Sequence, residues 1–304
     1  MKYHCYKISH STRYQYSAIV SEGVHLIKLK PRTFPNQNCL EYSLNILPAD
    51  AQFFDFTDYF GNSSTHLTVS RPHQELIVTA QCRVAVGLPF WPAPDETPSW
   101  EVVRNQIKSD RGALTLEAVE YVFDSPLIQS NKAVAKFAEA SFTPGRPIFE
   151  AGLNLTQRIF NDFQFDPAAT EVATPVATVL SQRKGVCQDF AHLAIACFRS
   201  LGLPAKYVSG YLETDPPPGI PKLIGVDASH AWLAFYCPGI GWIELDPTNG
   251  CIPAMRHIKI GFGRDYGDIA PLTGIIKGPD DHTLQISVDV MADGELQEYA
   301  SNPI

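Results

Sequence analysis

GVCQDFAHLAIACFRSL, residues 185–201, is the stretch that decides the fold. A glycine turn leads into Cys187, which opens a helix. From there the helix is apolar on nearly every side, through Phe190, Ala191, Leu193, Ala194, Ile195, Cys197, Phe198 and Leu201. Such a helix belongs inside a core. Gly202 suits the left-handed position after the last turn, and Pro204 prevents continuation. Cys187 therefore sits at the N-terminus of a buried helix. Unpaired amide N–H groups and the helix dipole favour an anion there, and a thiolate is both an anion and a nucleophile. A lone cysteine is nonetheless more often an inert buried residue. Its partners elsewhere in the chain decide between the two.

The whole chain bounds the answer. Its 304 residues suffice for one large or two ordinary domains, and 45% apolar with 18% charged residues is globular composition. A net charge of −8 argues against nucleic acid or an acidic membrane surface as partner. Seven cysteines at irregular spacing, with no C-x-x-C pair, make neither a disulfide framework nor a zinc pattern. They fit thiols in a reducing compartment. MKYHCYKISHSTRYQY, residues 1–16, lacks the apolar core of a signal peptide, and no window reaches the roughly 18 apolar residues of a membrane span. The expectation is a cytoplasmic protein without metal or other cofactor.

Residues 1 to 87 read as β structure. Leu40, Tyr42, Leu44 and Ile46 alternate on one face; 76–84 alternates less strictly; 24–29 is a third candidate. Phe60 to Ser64 supplies turn chemistry, and Tyr14 and Tyr16 are strand residues packing on this layer. Short strands separated by turns predict a small sandwich. LPFWPAPDETPSW (88–100) has four prolines and marks a boundary, dividing the chain into 1–100 and 101–304. Helices follow: one capped by Ser130, one with Pro147 in its first turn, and a short one from Thr174-Pro175. After Pro204 the period changes. Residues 205–212, 229–236 and 242–246 read as strands, with a proline-rich loop at 213–225. Leu284, Ile286, Val288 and Val290 alternate in a last strand. Helices first and strands afterwards predict an α+β fold with an antiparallel sheet.

A cysteine nucleophile needs a base, and the base needs a group that fixes its tautomer. The candidates are His230, in SHAW (229–232), and Asp246, in ELDPTNG (244–250). If the strands pair about Pro238, His230 lies opposite Asp246, Trp232 opposite Glu244 and Ala234 opposite Trp242. Opposed residues share a face, with Cβ atoms about 5 Å apart. A slip of one residue would separate them. His192 lies five residues past Cys187 and points roughly 140° away, so it reads as a buried helix residue. Asp189 faces elsewhere and suits tying down the helix start. Cys197 reads as packing.

GVCQDFAHL, AKYVSGYL, SHAW, GWIELDPTNG and HIKIGFGRDYGD (257–268) together resemble the bacterial branch of the transglutaminase-like superfamily. LKPR (29–32) and YFGN (59–62) resemble the β-rich N-terminal region that accompanies that core. The resemblance implies a papain-like core, with a nucleophile helix packed on an antiparallel sheet, preceded by a β-sandwich-like domain. Residue by residue it implies Cys187 as nucleophile, His230 as general acid/base and Asp246 as orienting carboxylate. The implied chemistry is cysteine-dependent cleavage of peptide-like amides in a peptide or protein substrate, with acyl transfer to an amine as the alternative. No calcium-binding insertion is evident, so calcium dependence does not carry over. Tyr211 and Trp232 are the substrate-binding candidates bordering the cleft, with core or cleft wall the favoured reading of Trp232 and Trp242, and the loop 213–225 reads equally as a wall or lid and as a stiff surface connection. The rival classes are a non-catalytic protein-binding scaffold of the same fold and a thiol redox protein. The intact trio argues against the first and the missing C-x-x-C against the second.

Overall fold

The computed structural model describes residues 2–110, 112–214, 229–279 and 281–296. Six strands come first: β1 (Tyr3–Val20), β2 (Glu22–Ile27), β3 (Gln37–Leu47), β4 (Gln52–Thr57), β5 (Ser63–Val69) and β6 (His73–Gly87). Helices α1 (Trp100–Ser109), α2 (Ala113–Val119), α3 (Lys132–Glu139) and α4 (Ile148–Asp162) follow. The short β7 (Gln164–Phe165), α5 (Val176–Gln182) and β8 (Lys184–Gly185) lead into α6 (Cys187–Ser200). The chain then runs through β9 (Ala205–Leu212), β10 (Ser229–Cys237), β11 (Gly241–Leu245), β12 (His257–Gly263), β13 (Leu272–Lys277) and β14 (His282–Leu296).

This is the expected α+β architecture. Sheets ordered β14-β1-β6-β3 and β13-β2-β5-β4 form the N-terminal layers, and β11-β10-β9-β12 is the core sheet. All three sheets are antiparallel. The two N-terminal sheets share a sandwich core that includes Ile27, Leu67, Val69, Leu76 and Val78. Alternation at 284–290 does produce a strand, but β14 pairs with β1, and β13 pairs with β2. The C-terminal part of the chain thus returns to the N-terminal layers, which a division at residue 100 does not provide for. Alternation shows that a strand has one buried face; it does not name the neighbour.

Helix starts differ from expectation by one residue. Asn131, not Ser130, caps α3, its side chain accepting the Val134 N–H at 3.0 Å. Pro147 and Pro175 sit just ahead of α4 and α5 with extended backbone, where a missing N–H costs nothing. The α6 helix behaves as its composition demands. It packs on the core sheet, with Phe198 stacked on Phe235 at 5.0 Å, and Gly202 takes φ +76° after its end. Arg199 is buried there, and its guanidinium donates to the carbonyls of Tyr121, Ala205 and Arg264. Those bonds fasten the helix to the GRDY stretch.

The outer edge of β12 is closed by two side-chain amides from the N-terminal layers. Gln37 donates to the Lys259 carbonyl at 2.7 Å and accepts its N–H at 2.7 Å. Asn62, from the YFGN motif, donates to the Phe262 carbonyl at 2.7 Å and accepts its N–H at 3.0 Å. Each amide supplies what a neighbouring strand would. Arg32, from the LKPR motif, adds its backbone N–H to the Ile260 carbonyl at 3.1 Å. The two N-terminal motifs thus join Gln37 in closing the edge of β12 that β9 does not cover. Asn62→Ala or Gln37→Ala leaves a buried N–H and C=O unpaired and lowers stability by about 1–3 kcal/mol, read by denaturant unfolding. Replacement of the exposed Gln52 leaves the midpoint unchanged.

Candidate active site

Cys187 is the first residue of α6 and is half-buried. Asp189 ties the helix start down: its Oδ2 accepts the Val186 N–H at 2.8 Å and the Thr170 hydroxyl at 2.6 Å. Gln188 donates to the Val172 carbonyl at 2.9 Å. The preceding loop is thereby pinned around the cysteine, whose own amide belongs to the unpaired first turn. Burial pushes Cys237 and Cys251 up to about 11 and Cys197 higher still, so these thiols stay protonated at neutral pH.

His230 is the second residue of β10 and is 9% exposed. Its Nε2 meets Asp246 Oδ2 at 2.7 Å, and the Cys187 side chain is its second electrostatic partner. Burial works against the charged imidazolium, but Asp246 and Cys187 together outweigh it and hold His230 up at about 10. The structure therefore brings the three sequence candidates into one line.

The hairpin that does so is shifted from the expected register. Leu233 pairs with Leu245, Ala234 with Glu244 and Tyr236 with Trp242. Residues 238–240 form the turn between Cys237 and Gly241, so Pro238 is its first residue and not its centre. The shift is two residues, which preserves the face. His230 and Asp246 remain on one side, both beyond the last paired position.

Asp246 is 0% exposed. Oδ2 receives His230, the Asn249 amide at 2.7 Å and His257 at 3.0 Å. Oδ1 receives the backbone N–H groups of Thr248 at 2.9 Å and Asn249 at 3.2 Å. Burial raises a carboxyl, but these donors prevail and hold Asp246 below the usual carboxylate range. The sequence Asp-Pro-Thr-Asn-Gly is built for this. The loop closes by paired backbone bonds between Asp246 and Cys251, and Gly250 takes φ +62° to complete it.

His257 is the residue that sequence reasoning missed. It opens β12, and its Nδ1 faces the Ala254 N–H at 3.4 Å. An amide N–H only donates, so the ring proton sits on Nε2, facing Asp246. HIKIGFGRDYGD is legible as a motif, but nothing in it links its first residue to a carboxylate eleven positions earlier. Only the pairing of β12 with β9 brings them together.

The substrate-binding candidacies of Tyr211 and Trp232 are corrected, and the core reading of Trp232 is the one that stands. Tyr211 is 1% exposed, buried between the layers with its hydroxyl bonded to His10 Nδ1 at 3.0 Å. Trp232 is 0% exposed, its indole N–H donating to Glu244 at 2.9 Å and its ring edge-on to His257. Neither offers surface to a substrate; both are packing residues behind the site. His192 is the expected buried helix residue, accepting the Tyr266 N–H at 3.2 Å and lowered by burial to about 4. In the GRDY run, Arg264 pairs with Asp268, and Asp265 accepts the Leu127 and Gly267 N–H groups, so the run closes the core. Of the loop 213–225, residues 215–225 lie outside the described residues.

His230, Asp246 and His257 place one ligand atom each within 4.8 Å of one another. Two imidazoles and a carboxylate are a zinc-type donor set, but ligands of a tetrahedral zinc stand about 3.3 Å apart. The 2.7 and 3.0 Å separations here are those of proton-bridged pairs. An ion would have to break the His230–Asp246 bond to bind.

A helix-borne cysteine facing a sheet-borne histidine and carboxylate defines a papain-like core. Residues 6–85 match the bacterial transglutaminase-like N-terminal region and residues 135–247 the transglutaminase-like superfamily. An uncharacterised Mycobacterium tuberculosis protein is 40% identical over 297 residues, covering 95% of this chain and 93% of its own. The chain belongs to the transglutaminase-like superfamily. The crystal structure of a candidate cysteine protease from Cytophaga hutchinsonii shares the fold, with TM-score 0.74 and 21% identity over 97% of this chain and 93% of that one. A protein-glutamine gamma-glutamyltransferase of Pseudomonas aeruginosa is 27% identical over 107 residues, 33% of this chain and 16% of that protein.

His257→Ala leaves Asp246 one donor short and costs about 1.5–3 kcal/mol, the value of a hydrogen bond to a charged group. Thermal unfolding reads the loss. His257→Gln, which keeps an N–H donor, recovers part of it; equal losses in both variants would remove the hydrogen bond as the cause.

Proposed function

We propose that the protein is a cysteine-dependent amide hydrolase, acting on peptide-like amides through an acyl-enzyme on Cys187. The observation that carries this is His230, which bonds the Asp246 carboxylate in a buried setting and has Cys187 as its other electrostatic partner. Membership of the superfamily, and a fold shared with a candidate cysteine protease, support it.

The thiolate of Cys187 attacks the substrate carbonyl carbon, forming the C–S bond and moving the π electrons onto oxygen. The backbone N–H of Cys187 is the natural donor to that oxyanion. On collapse the C–N bond breaks, and the His230 imidazolium gives its proton to the departing amine. Water then attacks the thioester carbonyl as His230 takes its proton. The C–S bond breaks, the acid leaves, and the imidazolium–thiolate pair is restored. Asp246 holds the His230 ring and stabilises its charge throughout. His230 stays charged through neutral pH, so acyl-enzyme formation falls as pH rises through about 10, where that proton is lost.

Acyl transfer is the second reading, favoured by the similarity of the core to a gamma-glutamyltransferase. The same acyl-enzyme serves both, and the acceptor separates them. The test incubates the protein with a glutamine-containing peptide library and a fluorescent primary amine. Mass spectrometry then reads a thioester adduct on Cys187, free acid product and amine incorporation. Hydrolysis predicts the adduct and the acid without incorporated amine; transfer predicts incorporation. Cys187→Ala abolishes all three, and Asp246→Ala slows product formation by about 10²-fold or more. Products made equally well by Cys187→Ala would remove the nucleophile. A wild-type protein that forms neither adduct nor product would favour the scaffold reading.

A further inference from the structure

A cavity of about 410 Å³ lies between the core sheet and the N-terminal layers, away from Cys187. It occupies the sheet face that carries Val208 and Ala234, and Trp232 stands between it and His230. Its walls include Phe34, Trp91, Trp242 and Phe262. Lys206 reaches in from β9 and is only 3% exposed. Its ammonium lies 3.5 Å from the Phe262 ring centre and 3.9 Å from that of Trp242. Among the described residues, no carboxylate or other acceptor hydrogen bonds that ammonium. Ring faces alone compensate a buried cation poorly. The other charges on the wall cancel, because Lys259 pairs with Glu244 at 2.7 Å. Trp91 adds a further ring to the same wall.

We propose that this cavity binds a small organic monocarboxylate with a flat apolar body, its carboxylate paired with Lys206. The Lys206 charge, without a carboxylate partner among the described residues, and the aromatic walls are complementary to such a molecule. A phosphate dianion would leave surplus charge in an apolar space. The charged groups around Lys206 are Arg32, Glu117, Glu244 and Lys259, with the Tyr121 ring at 5.7 Å. Burial, then Arg32, pulls Lys206 down to about 7. A bound carboxylate needs the protonated amine, so affinity falls as pH rises above that value, and binding near it takes up protons. The inference is independent of the Cys187 chemistry.

The test is calorimetric titration of the intact chain with indole-3-acetate and with its uncharged analogue indole-3-acetamide, near pH 6 and pH 8.5. The expected result is saturable binding of one acid per chain near pH 6, about tenfold or more tighter than the amide. That preference shrinks at the higher pH and is absent in Lys206→Met, while Lys206→Arg keeps it. Absence of saturable binding overturns the proposal. So does equal affinity for acid and amide, or a preference that survives in Lys206→Met. Should Lys206→Met fail to fold, the wild-type pH dependence decides: an acid preference that is constant between the two pH values overturns the proposal.

Discussion

The Asp246 carboxylate is the constraint on which the site depends. It is fully buried and ionised, and burying an unmatched charge costs several kcal/mol. It is matched by donors from three places: the 246–251 loop, the start of β10 and the start of β12. Each element is therefore located by the same charge. His230, held by Asp246 through one ring nitrogen, has the other free for the sulfur. Without the carboxylate, burial would drive His230 toward the neutral form, as it does His192 and His10.

The N-terminal layers take part in this arrangement. They close the edge of β12 through Gln37 and Asn62, and β12 carries His257 to the carboxylate. The final strands return to pair with β1 and β2, so both ends of the sequence build the layers that brace the core. On the other side, α6 is held by its apolar surface, by Arg199 at its end and by Asp189 at its beginning. The thiol thus stands between two supports that do not share a strand.

Local features of this fold were legible in the sequence because they have local causes. The α6 helix follows from its continuous apolar run and from Gly202 and Pro204. His230 and Asp246 were placed on one face although the register was two residues off, because an even shift keeps parity. Long-range features were not legible. Alternation in β14 reveals a buried face but not that β1 is its neighbour. His257 reaches Asp246 only through tertiary pairing. Tyr211 and Trp232 border the site in sequence, yet layers that fold over them remove them from solvent. The Asn131 cap illustrates a smaller limit: Ser130 and Asn131 both suit a cap, and only the backbone chooses.

The central proposal is that His230, oriented by Asp246, activates the Cys187 sulfur as the nucleophile. The measurement that tests it most directly is the rate of iodoacetamide alkylation across pH 4 to 9, with the label located by mass spectrometry, in wild type and His230→Ala. The account predicts selective labelling of Cys187 below about pH 7 in the wild type, lost or moved to higher pH in the variant. A Cys187 that stays unreactive until about pH 8, or other cysteines that react first, would contradict it.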